Sequence, residues 1–170
     1  APNIQLGMVA ALGDDGTGKN TADESAVSQA INWCIETFAA DIISLSLGGT
    51  QTDGMMREGP SVSVTRKAVD MGIYVVAAAG NDGGTDDDGR VSVPSNVARA
   101  IAVGASTRGG EVWENSSLGS QTMPNGEQRS NPNLKPEIIA PGEAIISTGR
   151  GDTWYSSSGT SDATVFVTAA

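Results

Sequence analysis

Ile73-Tyr74-Val75-Val76-Ala77-Ala78-Ala79-Gly80-Asn81-Asp82-Gly83 is an apolar run that breaks off into glycines and polar residues. An apolar stretch of this length without polar interruption predicts a strand covered on both faces, as in a parallel sheet. Just upstream, Ser61–Met71 reads as a helix closed by Gly72, and Asp41-Ile42-Ile43-Ser44-Leu45-Ser46-Leu47-Gly48-Gly49 as another strand leaving through glycines. Earlier still, Thr21 and Glu24 have the spacing of a capping box. Ala26, Ala30, Cys34 and Phe38, with Ile31 and Ile35 beside them, give the helix that follows an apolar face. Ile4–Leu12 reads as a first, largely buried strand. Strand, helix, strand, helix, strand at this spacing predicts right-handed crossovers and an α/β fold of three layers, a parallel sheet between helices. Sites in such sheets form where loops leave the carboxyl ends of the strands, and Gly48-Gly49 and Gly80-Asn81 both fall on that edge.

Beyond Pro94, Ala100-Ile101-Ala102-Val103-Gly104 predicts a strand parallel to Ile73–Ala78. Ser106 to Leu134 is polar and irregular and is expected to form surface loops. Short strands at Glu137–Ala140 and Ala144–Ser147 are followed by a hairpin-like approach through Thr153-Trp154-Tyr155-Ser156. It leads to Ser157-Ser158-Gly159-Thr160-Ser161-Asp162-Ala163-Thr164, where a Gly-Thr-Ser precedes an apolar run. A serine in the first turn of a helix lies beside unpaired N–H groups and the positive end of the dipole, which suits developing negative charge. The same pattern also describes an ordinary N-cap.

The 170 residues fit one domain with a modest core. A formal charge of −10 argues against nucleic acid or an anionic membrane surface as partner, and no apolar run is long enough to span a bilayer. Cys34 stands alone, which excludes an intrachain disulfide and favours a small buried hydrophobe. There is no histidine, so no Ser–His or Cys–His pair can be completed within the chain. The Gly13–Gly18 loop lacks the Gly-Lys-Ser/Thr ending of a phosphate cradle, which ranks a nucleotide-binding domain low. Asp86-Asp87-Asp88 reads as a solvated acidic loop; carboxylates are calcium ligands, but no spacing singles out a metal site. Trp33, Trp113 and Trp154 are expected to pack.

Five stretches occur in the order found in subtilisin-like serine proteases: Asp41–Gly49, Val75–Gly83, Ala100–Ala105, Ala140-Pro141-Gly142 and Gly159-Thr160-Ser161. The chain resembles that family nearly throughout, except from about Gly119 to Asn133. The resemblance implies a serine endopeptidase acting on polypeptides, secreted or extracytoplasmic, without a catalytic cofactor, though the family often binds calcium. Ser161 would be the nucleophile and Asn81 the side-chain donor to the oxyanion. Ser46, Leu47 and Gly48 would pair with an extended substrate, as an added strand does. Ala78, Ala79 and Gly80 would line the first specificity pocket, with Ser92 where a glycine often forms its floor. The aspartate and histidine of the family lie upstream of its equivalent of Ala1. The expectation is therefore a single partial peptidase domain over residues 1–170, incomplete at both ends and inactive alone, with a second chain as one possible source of both groups. The alternative is a non-catalytic peptide-binding or interaction module on the same fold. Asp162 stands where the family usually has methionine, and Val165-Phe166-Val167 where Pro-His-Val is usual.

Overall fold

The computed structural model describes residues 3–50, 59–84, 89–119 and 134–170. Its centre is a four-stranded parallel sheet in the order β3 (Ile42–Leu45), β4 (Tyr74–Ala78), β5 (Ile101–Ser106), β6 (Ile138–Pro141). Helices α1 (Glu24–Glu36) and α2 (Pro60–Asp70) pack together on one side, and α3 (Thr160–Ala169) lies on the other. This is the expected three-layer arrangement. Ile101 pairs in parallel with Val76, and Ala102 with Ala77, as the order of apolar runs implied.

The uninterrupted apolar composition of β4 follows from its place between two cores. Val75 and Ala77 face Val27, Ile31 and Ile35 of α1 and Val62 and Val69 of α2. Val76 points the other way, towards Val103, Ala105, Ala140 and Ala163 of α3. Alternating strand residues face opposite sides, so both positions must be apolar. The buried stripe of α1 is Val27, Ile31 and Ile35; Ala26, Ala30, Cys34 and Phe38 flank it and are half-buried. Cys34 is thus only partly the buried hydrophobe expected, and burial pushes its thiol pKa up. Trp33 stacks on Phe38 with ring centroids 5.6 Å apart. Trp113 packs against the second core, whereas Trp154 is 72% exposed and does not pack as expected.

Three further expectations are corrected. Ile4–Leu12 is not a buried strand: the only pairing near it joins β1 (Gly13–Asp14) to β2 (Asn20–Thr21), and Met8 is 84% exposed. Apolar composition favours burial, but a strand also needs a neighbour for its N–H and C=O groups, and no described strand supplies one. The capping box does not form. Thr21 belongs to β2, Asp23 is the N-cap without a side-chain bond, and Glu24 Oε1 instead accepts a hydrogen bond from Ser61 Oγ at 2.8 Å. A tertiary partner on α2 outcompetes the local one.

The Ser106–Leu134 region is not all surface. Ser116 and Ser117 are buried, and Ser116 Oγ accepts the Ala105 N–H at 3.0 Å, so these hydroxyls satisfy backbone donors that the core would otherwise strand. The polar loop from Thr50 is described only at its ends, and Asp86, Asp87 and Asp88 lie outside the described residues. The hairpin expected before Gly159 is present as β7 (Ile145–Gly149) paired antiparallel with β8 (Thr153–Ser157). No helix among the described residues is long and apolar enough to cross a membrane.

Ile31 is 1% exposed at the centre of the first core. Ile31→Ala should destabilise the protein by about 3 kcal/mol, from lost burial and a residual cavity. Ile146→Ala, on an exposed hairpin face, should change stability by less than about 0.5 kcal/mol. Urea unfolding of the two variants checks the contrast.

Candidate active site

The carboxyl ends of β3 and β4 and the amino end of α3 meet around one cavity of about 210 Å³. Leu47 and Gly48 form one wall, Ala78 and Gly80 the other, and Asn81, Asp82, Ser92, Thr160 and Ser161 complete the lining. Gly48 and Gly80 therefore lie at the same end of the sheet, as their positions after successive parallel strands require.

Glycine at those two places is a matter of space. A Cβ on Gly48 would stand 2.7 Å from Ser92 Cβ, and one on Gly80 would stand 2.5 Å from Ser92 Oγ and 2.8 Å from Ser117 Oγ. Gly80 also has φ +114°, a region that side-chain-bearing residues rarely adopt. The Ser92 side chain is thus seated between the two glycine walls. Its loop is held by Gly49 N–H to Val93 O at 3.0 Å, Val93 N–H to Gly49 O at 2.9 Å and Ser92 N–H to Ala79 O at 2.7 Å.

Helix α3 begins at Thr160 after Gly159, with Ser161 second in the first turn. The first N–H groups of a helix have no intrahelical acceptor. For Thr160 that acceptor is Asn81 Oδ1, at 2.9 Å, and Thr160 Oγ1 donates to the same oxygen at 3.0 Å. Thr160 Oγ1 in turn accepts the Gly80 N–H at 3.1 Å. A backbone N–H can only donate, so the oxygen of the Asn81 amide must face Thr160, and Nδ2 is left as a donor on the exposed side.

Ser161 Oγ donates to Ser46 O at 3.2 Å, and Ser46 Oγ donates back to Ser161 O at 3.0 Å. These reciprocal bonds tie the end of β3 to the start of α3. Asp162 Oδ1 accepts a hydrogen bond from Ser157 Oγ at 2.7 Å. The point where a Gly159 Cβ would sit is 3.4 Å from Asn81 Nδ2 and 3.7 Å from Asp162 Oδ2, so the carboxylate and the amide border one small space. Behind them, Gly159 N–H donates to Gly142 O at 2.8 Å. A Cβ on Gly142 would lie 2.6 Å from Ala105 Cβ and 2.7 Å from Gly159 O.

Of the residues singled out from the sequence, Ser161, Asn81, Leu47, Gly48, Ala78, Gly80 and Ser92 line the cavity together. Ser46 is outside the lining but bonded to Ser161. Ala79 is not a wall residue: it is fully buried, with its N–H donating to Val103 O at 2.9 Å. The alternation of the strand turns its side chain inward. Thr160 and Asp82 were not foreseen as site residues. The Gly-Thr-Ser run could have pointed to Thr160, because a hydroxyl one residue before the serine can reach the amide that flanks it. Among the described residues, no group of three or more histidine, cysteine, aspartate or glutamate side chains comes together to hold a metal.

The model of the Subtilase family of peptidases (S8) matches residues 1–170. Subtilisin NAT of Bacillus subtilis subsp. natto is 33% identical over all 170 residues, which correspond to 38% of its length. Subtilisin DY of Bacillus licheniformis is 31% identical over the whole chain and 53% of its own length. Among solved structures, the patellamide maturation protease PatA matches with a TM-score of 0.68 at 27% identity, over 88% of this chain and 49% of its own. The prenylagaramide maturation protease PagA gives 0.67 at 26% identity, over 86% and 47%. The chain spans about half the length of these relatives, or less. On the match of its entire length, the chain belongs to the Subtilase family.

Proposed function

We propose that the protein is a serine endopeptidase in which Ser161 attacks the substrate carbonyl and Asn81 stabilises the resulting oxyanion. The observation that carries this reading is the orientation of Asn81: its oxygen is held by two donors from Thr160, which leaves Nδ2 as a donor at the cavity that Ser161 also lines. A donor fixed in advance costs no reorganisation when charge develops. The first-turn N–H of Ser161 adds a second donor from the backbone. In the reaction, Ser161 Oγ forms a bond to the carbonyl carbon and its proton passes to a general base. Collapse of the intermediate breaks the C–N bond, and the same base returns the proton to the departing amine. Water then cleaves the acyl-enzyme.

The base comes from outside these 170 residues, which contain no histidine. Until it is present, the Ser161 proton rests on Ser46 O, a carbonyl too weakly basic to accept it. A second chain bearing the aspartate and histidine is one way to complete the site; a longer form of the same chain is another. The walls at Leu47-Gly48 and Ala78-Gly80 receive the side chain before the cleaved bond, and the Ser92 side chain seated between Gly48 and Gly80 favours a short one. By family likeness the protein acts on polypeptides outside the cytoplasm. A non-catalytic peptide-binding module is the second reading, favoured by a groove that is formed while the hydroxyl remains parked on Ser46.

Three measurements test the proposal. The isolated 170 residues should show no peptidase activity above background, because in subtilisin loss of the base lowers kcat on the order of 10⁶-fold, a magnitude carried over from that enzyme. Inhibitor-sensitive cleavage by the isolated chain would overturn this. In the full-length protein, Asn81→Ala should lower kcat roughly 10²- to 10³-fold with little change in KM, again as in subtilisin. An effect on KM alone would assign Asn81 to the turn rather than to the chemistry.

Asp162→Met should accelerate acylation in the full-length enzyme by roughly tenfold. A carboxylate beside the amide opposes the oxyanion; at ~6 Å and an effective dielectric of ~20 the repulsion is roughly 3 kcal/mol before screening. Asp162 is half-buried, so solvent removes part of that. A variant slower at every pH would show that the bond to Ser157 is the part that matters.

A further inference from the structure

Asp162 follows Ser161 in the first turn of α3, yet it does not serve the helix. Neither of its oxygens accepts a first-turn N–H, and no cation among the described residues pairs with the carboxylate. Oδ1 instead accepts Ser157 Oγ at 2.7 Å. Ser157 belongs to β8, so this bond draws the side chain to the β8 side of Ser161, whereas Ser161 Oγ is held towards β3 by Ser46 O. Oδ2 is left bordering the space that Asn81 Nδ2 also borders, 3.7 Å and 3.4 Å from the point where a Gly159 Cβ would stand. The half-buried carboxylate is thus an uncompensated charge beside the place where the reaction creates another.

Its position decides what can balance it. The residue before the cleaved bond fills the cavity, and Asp162 is not part of that lining. Around the reacting carbon, the remaining directions belong to Ser161 Oγ, the Asn81 amide and the departing amine. What reaches the β8 side of Ser161 is therefore the substrate segment that follows the bond. Alternation along β8 puts Tyr155 on the same face as Ser157, with 54% of its surface exposed, so an aromatic ring flanks the approach to the carboxylate. A carboxylate flanked by an aromatic ring suits a lysine or arginine side chain.

We propose that Asp162 selects substrates with a basic residue directly after the cleaved bond, and that this cation offsets the carboxylate charge opposing the oxyanion. This selection presupposes the endopeptidase reading, whose substrate class it names. The pairing acts twice: it adds binding in the ground state and removes a repulsion felt only in the transition state. The preference should therefore appear in kcat as well as in KM. A neutral residue after the bond leaves the carboxylate uncompensated, and that is the case in which Asp162→Met accelerates acylation.

The test uses the full-length protein and fluorogenic peptides with alanine before the bond and arginine, citrulline or glutamate after it. Citrulline keeps the shape of arginine without its charge, and mass spectrometry of the products fixes the bond cut. Wild type should cleave the arginine peptide with kcat/KM roughly tenfold above the citrulline peptide, and the glutamate peptide most slowly. Asp162→Asn, which keeps an oxygen for Ser157, should speed the citrulline peptide and bring the ratio to about one. Added salt should shrink the wild-type ratio and leave that of the variant unchanged. A purely structural Asp162 would slow all three peptides alike. Equal wild-type rates for arginine and citrulline, or a ratio that survives in Asp162→Asn, overturns the proposal. The same sequences, labelled with one fluorophore, are titrated by anisotropy against the Ser161→Ala protein, which binds without cutting. If wild type cleaves no peptide, the endopeptidase reading fails and the titration decides the cation separately. Tighter binding of the arginine peptide that is lost on adding Asp162→Asn supports recognition at Asp162; equal or absent binding refutes it.

Discussion

The tie between Asn81 and Thr160 is the contact on which the rest of this site depends. It joins the end of β4 to the first turn of α3, two elements separated by 79 residues in sequence. One amide oxygen answers two needs at once, capping an unpaired helix N–H and fixing the direction of its own NH₂ group. Because Thr160 Oγ1 also receives the Gly80 N–H, the turn and the helix hold each other from both sides. Remove that connection and the donor, the serine and the glycine wall each lose their reference point.

The sheet behind this contact explains why it can be accurate. Val75 and Ala77 are locked into one core and Val76 into the other, so β4 has no soft face. The site inherits this stiffness because Gly80 and Asn81 follow immediately after the strand. Sites supported by regular elements are held more closely than sites on long loops. The polar residues Ser116 and Ser117 extend the support: Ser117 N–H bonds Gly80 O at 3.0 Å, and Ser117 Oγ accepts the Asp82 N–H at 3.0 Å.

Much of this was legible in the sequence, and the failures share a cause. Ile73–Ala78 and Ala100–Gly104 announced themselves because a strand buried on both faces leaves an unbroken apolar run. The glycines after Leu47 and Ala79 marked the correct edge because a close approach needs the absence of a Cβ. Ile4–Leu12 misled because its apolar residues state a preference for burial without naming what covers them. Glu24 misled because its partner, Ser61, is 37 residues away and leaves no local trace. Ser116, Ser117 and Lys135 were hidden for the same reason: a polar residue in a polar stretch looks solvated until the acceptors around it are known. Within the site, the side chains at the cavity wall followed from motif position, whereas the hydrogen bonds that aim Asn81 required the third dimension.

The crossing of Gly142 and Gly159 has a consequence for how such a site can change over time. The Gly159 N–H meets the Gly142 carbonyl, and Ala105 Cβ and Gly159 O crowd the place a Gly142 side chain would take, so Gly142 cannot gain one in place. In the cavity wall, Leu47 carries a half-exposed side chain that selection can vary, unlike the glycines beside it. The crossing instead behaves as a pivot beneath the nucleophile, and enlarging it by one methyl would move Ser161 as a unit with α3. Reaction geometry is sensitive to displacements of an ångström, so activity would be lost there before the fold was. Diversity of substrate choice and constancy of chemistry can therefore coexist in one small region, because they are assigned to atoms with very different freedom to move.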